Sequence, residues 1–237
     1  MALDQRGPLH DRRWLVIDAE SARFITQREH PALATVAARV DGADLIVSAP
    51  GTGGSELRLR PPAADGAPTQ TEIWGRTIGG HDVGDDAAAW FSELLGHSVR
   101  LLADAQDGQL AFADGYPLLV TNRASLDDLN SRLERPVPME RFRPNLVVDG
   151  PPAWAEDGWD ELRIGAMRLY LRKPCARCVV INTDQVTGDV AQEPLRVLAS
   201  FRRAEGGGAM FGVNAQHSGP GRVRVGDPIE LISAGPR

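Results

Sequence analysis

The sequence predicts a mainly β protein of the α+β class, with two β-barrel-like units and a few short helices. Short apolar runs recur along the whole chain, and glycine, proline, asparagine and aspartate residues separate them. Segments with the apolar period of an amphipathic helix are few and short. Many short strands with turn signals between them are typical of small barrels.

Length and composition favour a globular chain with one large domain or two small ones, because 237 residues can bury a sizeable core. We predict two domains, residues 1–104 and residues 105–237, divided within a polar stretch at 103–109. The formal net charge of -6 argues against a nucleic acid polymer or an anionic membrane as the main partner.

The cellular location is predicted from the start of the chain and from its cysteines. The first residues lack the basic segment and apolar core of a signal peptide. No apolar run approaches the length that crosses a membrane. Because the sequence has only two cysteines, we expect a reducing, cytoplasmic location.

The first half of the chain is predicted to consist mostly of strands. Residues 32–40 and 45–48 form a hairpin around the turn-prone sequence Asp-Gly-Ala-Asp at 41–44. Residues 50–55 are glycine-rich, but they lack the Gly-Lys-Ser/Thr ending of a phosphate loop, so a hairpin turn is favoured. The strands expected in this half are 14–18, 32–40, 45–48, 57–60, 71–74 and 99–102.

One short helix is predicted in this half, at residues 87–95, where apolar residues share a face. The acidic residues before it suit the positive end of a helix dipole. The same residues, with a nearby histidine, admit a metal cluster as a less favoured alternative. The residues of that cluster are His81, Asp82, Asp85 and Asp86.

The second half combines further short strands with two helices. Ser125 and Asp128 have the spacing of a capping box and predict a helix at residues 125–133. Pro194 predicts the first position of a helix at residues 194–202. The strands expected in this half are 117–121, 146–148, 162–164, 167–171, 179–181, 210–213, 223–225 and 229–232.

The most informative stretch is a Cys-x-x-Cys sequence formed by Cys175 and Cys178, with Arg177 between them and Lys173 just before. A strand predicted at 179–181 argues against a thioredoxin-like dithiol, which needs a helix behind the first thiol. The chain has no second cysteine pair and only scattered histidines, which argues against structural zinc. Two interpretations stay open: a pair of structural, half-buried thiols, or one functional cysteine beside Arg177.

Four segments, in this order along the chain, together resemble the MOSC family, which is named for the C-terminal domain of molybdenum cofactor sulfurase. They are Asp-Arg-Arg-Trp-Leu-Val at 11–16, Arg-Phe-Arg-Pro-Asn at 141–145, the stretch around Cys178, and Phe-Gly-Val-Asn at 211–214 with Val-Gly-Asp-Pro at 225–228. Residues 124–130 and 154–157 add to the resemblance. The similar subgroup has an extra N-terminal β-barrel and includes the mitochondrial amidoxime-reducing component and its bacterial counterparts.

The resemblance implies a molybdenum cofactor, in which molybdenum is held by the dithiolene of a molybdopterin. It implies that Cys178 is the catalytic residue and ligates the metal, because thiolates suit soft metals. Cys175 is then a neighbouring or structural thiol. The positions that the resemblance assigns to cofactor binding are Arg12, Arg143, Asn145, Arg177 and Asn214.

Three of those positions are arginines, and guanidinium groups bind phosphate through paired hydrogen bonds. The resemblance therefore implies that Arg12, Arg143 and Arg177 grip the phosphate of the pterin. Arg143 precedes Pro144, and this order predicts an extended backbone at Arg143.

The function implied by the resemblance is the reduction of N-hydroxylated compounds, namely amidoximes, hydroxylamines and N-hydroxylated bases. These small-molecule substrates require electrons from a separate protein of the ferredoxin, flavin or cytochrome type. Pyridoxal phosphate binding is associated with the family only as a whole. The alternatives are a non-catalytic module that carries the molybdenum cofactor or transfers sulfur, and a barrel without cofactor.

Two departures from the family pattern are expected. Relatives begin with a strand that carries a Lys-Ser pair at the cofactor, whereas this sequence begins Met-Ala-Leu-Asp, so we expect that first strand to be missing from the N-terminal barrel. Some relatives also carry an iron–sulfur domain. This sequence has no cysteine after Cys178 that would support one.

Overall fold

A computed structural model describes residues 1–62, 67–105 and 111–235 of the chain. Within these residues the protein is mainly β with three α-helices, which confirms the predicted fold class. The chain forms two compact units. The C-terminal unit contains Met1–Asp11, Gly115–Thr183 and Val190–Arg237, and the N-terminal unit contains Arg12–Asp114 and Asp184–Asp189.

Strands and three α-helices follow one another along the described part of the chain. The strands are β1 (Ala2–Asp4), β2 (Gly7–Pro8), β3 (Trp14–Asp18), β4 (Ala37–Asp41), β5 (Asp44–Ser48), β6 (Leu57–Leu59), β7 (Thr69–Ile73), β8 (Arg76–Asp82), β9 (Val99–Asp104), β10 (Leu118–Asn122), β11 (Leu146–Val148), β12 (Trp159–Ile164), β13 (Met167–Arg177), β14 (Ala209–His217), β15 (Gly221–Arg222) and β16 (Ile229–Ala234). The helices are α1 (Asp85–Leu95), α2 (Arg123–Asn130) and α3 (Leu195–Phe201).

The N-terminal unit is built from two antiparallel sheets and helix α1. The strand orders are β3-β9-β8-β7 in one sheet and β4-β5-β6 in the other. Trp90 and Phe91 of α1 pack in one core cluster with Val47 and Leu101 from the sheets. Helix α1 ends at Gly96, whose φ of 75° lies in the left-handed region that favours glycine.

Most strands predicted for this unit are confirmed, but the first hairpin differs and β8 was not predicted. Residues 31–35 form a 3-10 helix, so the strand predicted at 32–40 begins only at Ala37. The glycine-rich segment contains a 3-10 turn, Pro50–Thr52, and leads into β6, which pairs antiparallel with β5. This confirms the hairpin interpretation over the phosphate loop.

Two of the acidic residues near the start of α1, Asp82 and Asp85, form ion pairs with Arg100. Arg100 Nε lies 2.6 Å from Asp82 Oδ2, and Arg100 Nη1 lies 2.8 Å from Asp85 Oδ1. These contacts raise the pKa of the Arg100 guanidinium. In the described ranges, no group of three or more His, Cys, Asp or Glu side chains is arranged to hold a metal.

The C-terminal unit contains a six-stranded sheet with the order β11-β10-β14-β13-β12-β16. Only β10 and β11 pair in parallel among these neighbours. A small sheet, β15-β1-β2, joins the first residues of the chain to this unit. Leu162, Leu169 and Val213 lie in one core cluster, and a second cluster contains Phe142 and Phe211.

The predicted capping box of helix α2 is wrong. Asn122 is the N-cap, and its side chain accepts a hydrogen bond from the Ala124 amide at 3.1 Å. Ser125 lies inside the helix, fully buried, and its hydroxyl donates to Glu156 Oε2 at 2.9 Å. Tertiary hydrogen bonding therefore uses the serine that the local pattern assigns to capping.

Two of the predicted strands are also wrong. Residues 179–182 form a 3-10 helix, in which Ile181 is fully buried whereas Val179 is 49% exposed. In a strand these two residues would share one face, so their different burial excludes the strand. Residues 223–225 are outside any strand, and the pairing near them is made by β15.

None of the helices in the described residues is both long and apolar enough to cross a membrane.

Candidate functional site

The candidate site lies where strand β13 ends in the C-terminal unit. Strand β13 pairs antiparallel with β14, with Lys173 opposite Asn214 and Arg177 opposite Ala209. The pairing shifts register between Leu171 and Lys173 and again between Pro174 and Ala176. Such irregularities redirect side chains near functional sites, and here the second one contains Cys175.

Cys178 is the first residue beyond β13. Its backbone is extended, with φ of -110° and ψ of -179°, and it caps the 3-10 helix Val179–Asn182. The thiol is free and half-buried. The backbone carbonyl of Cys178 accepts a hydrogen bond from the Ile181 amide at 3.3 Å. Cys175 therefore lies within β13 and Cys178 directly follows it, so neither precedes a strand, which corrects the sequence-based placement.

Arg177 is the last residue of β13, and its guanidinium is bonded within the protein. Nη1 donates to Cys175 Sγ at 3.0 Å, and Nη2 donates to the Phe142 carbonyl at 2.8 Å. The Nε atom is buried and has no hydrogen-bond partner in the described part of the chain. Arg177 thus connects the end of β13 to the turn that precedes Arg143.

Arg143 has an exposed side chain and a strained backbone. Its φ of 52° and ψ of 47° lie in the left-handed region, so the predicted extended backbone is wrong. The 3-10 helix Met139–Phe142 ends here, and the Arg143 amide donates to the Glu140 carbonyl at 3.0 Å. The turn therefore overrides the preference imposed by Pro144. A left-handed non-glycine residue costs about 1–3 kcal/mol, and such strain is concentrated at functional sites.

The two predicted asparagines differ in how their amides are used. Asn145 Oδ1 accepts from the Leu119 amide at 2.8 Å, and Asn145 Nδ2 donates to Asp11 Oδ2 at 3.0 Å. Asn145 therefore fixes β10 and the N-terminal segment of this unit. Asn214, opposite Leu119 on β14, has a half-buried side chain with no hydrogen-bond partner among the described residues.

Two phenylalanines support this corner of the unit, and the sequence motifs did not single them out. The rings of Phe142 and Phe211 stack with centroids 3.9 Å apart, and both residues are fully buried. Trp154 meets Phe211 edge-on at 5.8 Å. Both phenylalanines lie in segments that the sequence analysis quoted for other residues. A large apolar residue at each position could have predicted that these segments pack in the core.

A buried carboxylic acid lies in the same unit and was also missed. Glu156 is fully buried, and burial raises its pKa, whereas the hydrogen bond from Ser125 acts in the opposite direction. The Ser125 hydroxyl also accepts from the Trp154 amide at 2.7 Å. Glu156 and Ser125 thus fix the turn that presents the Trp154 ring.

The structure brings five of the predicted residues into the C-terminal unit, and the sixth lies elsewhere. Arg12 belongs to the N-terminal unit, where its carbonyl accepts from the Phe112 amide at 3.0 Å. Its φ of 53° is left-handed. The cofactor role assigned to Arg12 stays a prediction. The five residues of the C-terminal unit are Arg143, Asn145, Arg177, Cys178 and Asn214.

Comparison with protein families gives two matches that together span most of the chain. The MOSC domain matches residues 107–230. The MOSC N-terminal beta barrel domain matches residues 1–98. The first match contains the cysteine pair, the turn before Arg143 and strand β14.

Individual relatives align over nearly the whole chain. Mitochondrial amidoxime-reducing component 1 of Homo sapiens is 34% identical over 252 aligned positions, which span 95% of this chain and 74% of that protein. The protein of the same name from Mus musculus is 35% identical, spanning 95% of this chain and 73% of the mouse protein. Mitochondrial amidoxime reducing component 2 of Homo sapiens is 34% identical, spanning 94% and 73% respectively.

Proposed function

The chain belongs to the MOSC domain family, and from this premise we propose that it is a molybdenum-cofactor oxidoreductase that reduces N-hydroxylated compounds. The observation that carries the proposal is the free, half-buried thiol of Cys178 at the end of β13. It lies within the stretch matched by the MOSC domain, and the aligned relatives are named for amidoxime reduction.

The residues of the C-terminal unit suit the cofactor chemically. A thiolate is the ligand type that a soft, sulfur-bound metal prefers, and Cys178 is not consumed by a disulfide. The exposed guanidinium of Arg143 suits a phosphate, which it binds with two parallel hydrogen bonds. The Asn214 amide offers a donor and an acceptor that the described residues leave without a partner. Molybdenum–molybdopterin therefore fits this donor set.

Reduction of an N-hydroxyl group to N–H takes two electrons and two protons and releases water, and the bound cofactor supplies the redox chemistry. The role of the chain is to bind and orient. Cys178 holds the metal, Arg143 holds the phosphate, and Asn214 contacts the polar pterin. The stacked rings of Phe142 and Phe211 keep this corner of the unit dry and rigid.

Partners and substrates follow from the same proposal. The substrates are small molecules with an N–OH group, namely amidoximes, hydroxylamines and N-hydroxylated bases. The sequence contains no dinucleotide fingerprint, so the electrons come from a separate donor protein of the ferredoxin, flavin or cytochrome type.

A second candidate function is a non-catalytic carrier of the molybdenum cofactor or a sulfur-transfer module. It is compatible with the same site, where no His, Asp or Glu side chain of the described residues hydrogen bonds to Cys178 or Cys175. A carrier needs a metal ligand and a phosphate grip but no acid–base group.

The test is a measurement of molybdenum and pterin in the purified protein, followed by turnover with an artificial reductant. With reduced viologen, the loaded protein should reduce benzamidoxime or hydroxylaminopurine, whereas NADH or NADPH alone should support no reduction. The control is the same preparation after the cofactor has been removed. If loaded protein reduces no N-hydroxylated substrate but restores activity to a cofactor-free molybdenum enzyme, the carrier function replaces the reductase.

A further inference from the structure

We propose that Cys175 is a positioning residue, whose sulfur holds the Arg177 guanidinium so that Arg177 fixes the turn carrying Cys178. Arg177 thereby acts on the site through the backbone. This inference rests on the proposed function in so far as Cys178 is the metal ligand.

The two terminal nitrogens of the Arg177 guanidinium, here called the Arg177 fork, each donate a hydrogen bond to an acceptor within the protein. Nη1 and Nη2 donate to Cys175 Sγ at 3.0 Å and to the Phe142 carbonyl at 2.8 Å. Bonds from both terminal nitrogens of a planar guanidinium fix its plane as well as its position. Each of the two nitrogens uses one of its N–H groups for a protein acceptor.

The elements joined by this fork are those on either side of the candidate site. Arg177 is bonded covalently to Cys178, and Phe142 is bonded covalently to the strained Arg143. The acceptor belongs to a closely packed residue, because Phe142 is fully buried and stacked on Phe211 at 3.9 Å. The Arg177 fork therefore sets the position of Cys178 relative to the turn that presents Arg143.

Cys175 has the right place in the sheet for this role. It lies in the irregular stretch of β13, between Pro174 and Ala176, where the register against β14 shifts. A proline in a strand donates no ladder hydrogen bond, so the sheet alone holds this stretch loosely. The contact from Arg177 back to Cys175 supplies a bond that the ladder lacks there.

The test measures the rate at which iodoacetamide modifies Cys178 in cofactor-free protein, read by mass spectrometry of the Cys178 peptide. Cys175→Ala should raise this rate several-fold, because the turn is no longer fixed, while the melting temperature changes little. Cys175→Ser keeps a polar acceptor and should return the rate close to that of the wild type. This rescue is a readout that a purely structural thiol would not give.

A double-mutant cycle then tests whether Cys175 acts through Arg177. Arg177→Lys should raise the modification rate as Cys175→Ala does, because an ammonium cannot bridge both acceptors. The double variant should show no further rise, since both changes break one contact. Arg172→Lys is the matched control: Arg172 is exposed on the same strand, bonded to Gln216, and its replacement should leave the rate unchanged.

Two outcomes overturn the inference: an unchanged rate in Cys175→Ala, or effects of the two single changes that multiply in the double variant. Molybdenum content is measured on the same variants to separate this failure from that of the proposed function. If the wild-type protein retains no cofactor, the proposed function fails, yet the modification rates still decide the role of Cys175. If the wild type is loaded and the rates are insensitive to Cys175, only the positioning role is lost.

Discussion

At the scale of single residues, the two cysteines have different surroundings although only two residues separate them. Cys175 accepts a hydrogen bond from Arg177 at 3.0 Å, whereas Cys178 lies beyond the strand at the start of a 3-10 helix. The resemblance assigns the metal to Cys178, which follows Arg177 in the family motif, and this assignment stays a prediction. The sequence did not predict what holds Arg177, since that contact depends on a carbonyl 35 positions away.

Replacement of Cys178 tests the assignment of the metal ligand. Cys178→Ala should remove the protein thiolate from the metal and abolish turnover, because alanine offers no ligand atom. X-ray absorption of loaded protein measures the sulfur shell of molybdenum directly. A shell that is identical in Cys178→Ala and the wild type would contradict the assignment. Cys175→Ser is the control and should keep the shell.

Replacement of Arg143 separates its backbone strain from its charge. Arg143→Gly removes the guanidinium but relieves the left-handed backbone at φ 52°, so the free energy of unfolding should rise by about 1 kcal/mol. Arg143→Ala keeps the strain and should not gain stability. In both variants the binding free energy of the cofactor should weaken by about 1.5–3 kcal/mol, the range for a hydrogen bond to a charged group.

The measurements for Arg143 are chemical denaturation of cofactor-free protein and equilibrium loss of cofactor on dilution. Arg143→Lys should retain the cofactor better than the alanine variant but less well than the wild type, because an ammonium makes no paired contact. Equal cofactor content in the wild type and the two neutral variants would exclude Arg143 from phosphate binding.

At the scale of elements, the apolar runs predicted most of the longer strands but missed β8, although it pairs with strands on both sides. They failed at 179–181, where β-branched residues form a 3-10 helix because Ile181 is buried and Val179 is not. The capping box failed for a related reason, since Ser125 is bonded to Glu156. In both cases a tertiary contact overrides a local preference, and a single sequence does not show which contact that is.

The buried Glu156 should give the stability of the protein a particular pH dependence. Burial raises the pKa of Glu156 in the folded state above its value in the unfolded chain. Glu156 therefore stays protonated to a higher pH in the folded state than in the unfolded chain. Its contribution to the free energy of unfolding falls as the pH rises from about 4.3, the pKa in the unfolded chain, through the pKa in the folded state. Below both values the group contributes no pH dependence.

Glu156→Gln makes this pH dependence measurable. The glutamine amide is neutral at every pH and its oxygen can still accept the Ser125 hydroxyl, so the variant should gain stability relative to the wild type as the pH rises above about 4.3. Denaturant unfolding at several pH values gives the difference, and exposed Glu20→Gln is the control. A stability difference that stays constant over this range would show that Glu156 is not perturbed by burial.

At the scale of the whole molecule, the two units are interleaved along the chain. Residues 1–11 belong with the C-terminal unit, and residues 184–189 belong with the N-terminal unit. The sequence predicted two β-rich parts, and the two family matches, 1–98 and 107–230, are consistent with two parts. The boundary predicted after residue 104 stays a prediction. Pairings such as β1 with β15 join residues more than 200 positions apart, which periodicity along the chain does not reveal.

The division of the chain into two units predicts which strands a cavity in each core will destabilise. Leu3 is 4% exposed and packs in a core cluster of the C-terminal unit, and Leu59 is also 4% exposed and packs in a cluster of the N-terminal unit. Leu3→Ala and Leu59→Ala are therefore a matched pair, and each should lower the free energy of unfolding by about 2–5 kcal/mol.

Leu3→Ala should speed amide hydrogen exchange in β13 and β14 more than in β5 and β9. Leu59→Ala should produce the opposite pattern. If Leu3→Ala instead loosens only β5 and β9, the first residues of the chain are part of the N-terminal unit in solution.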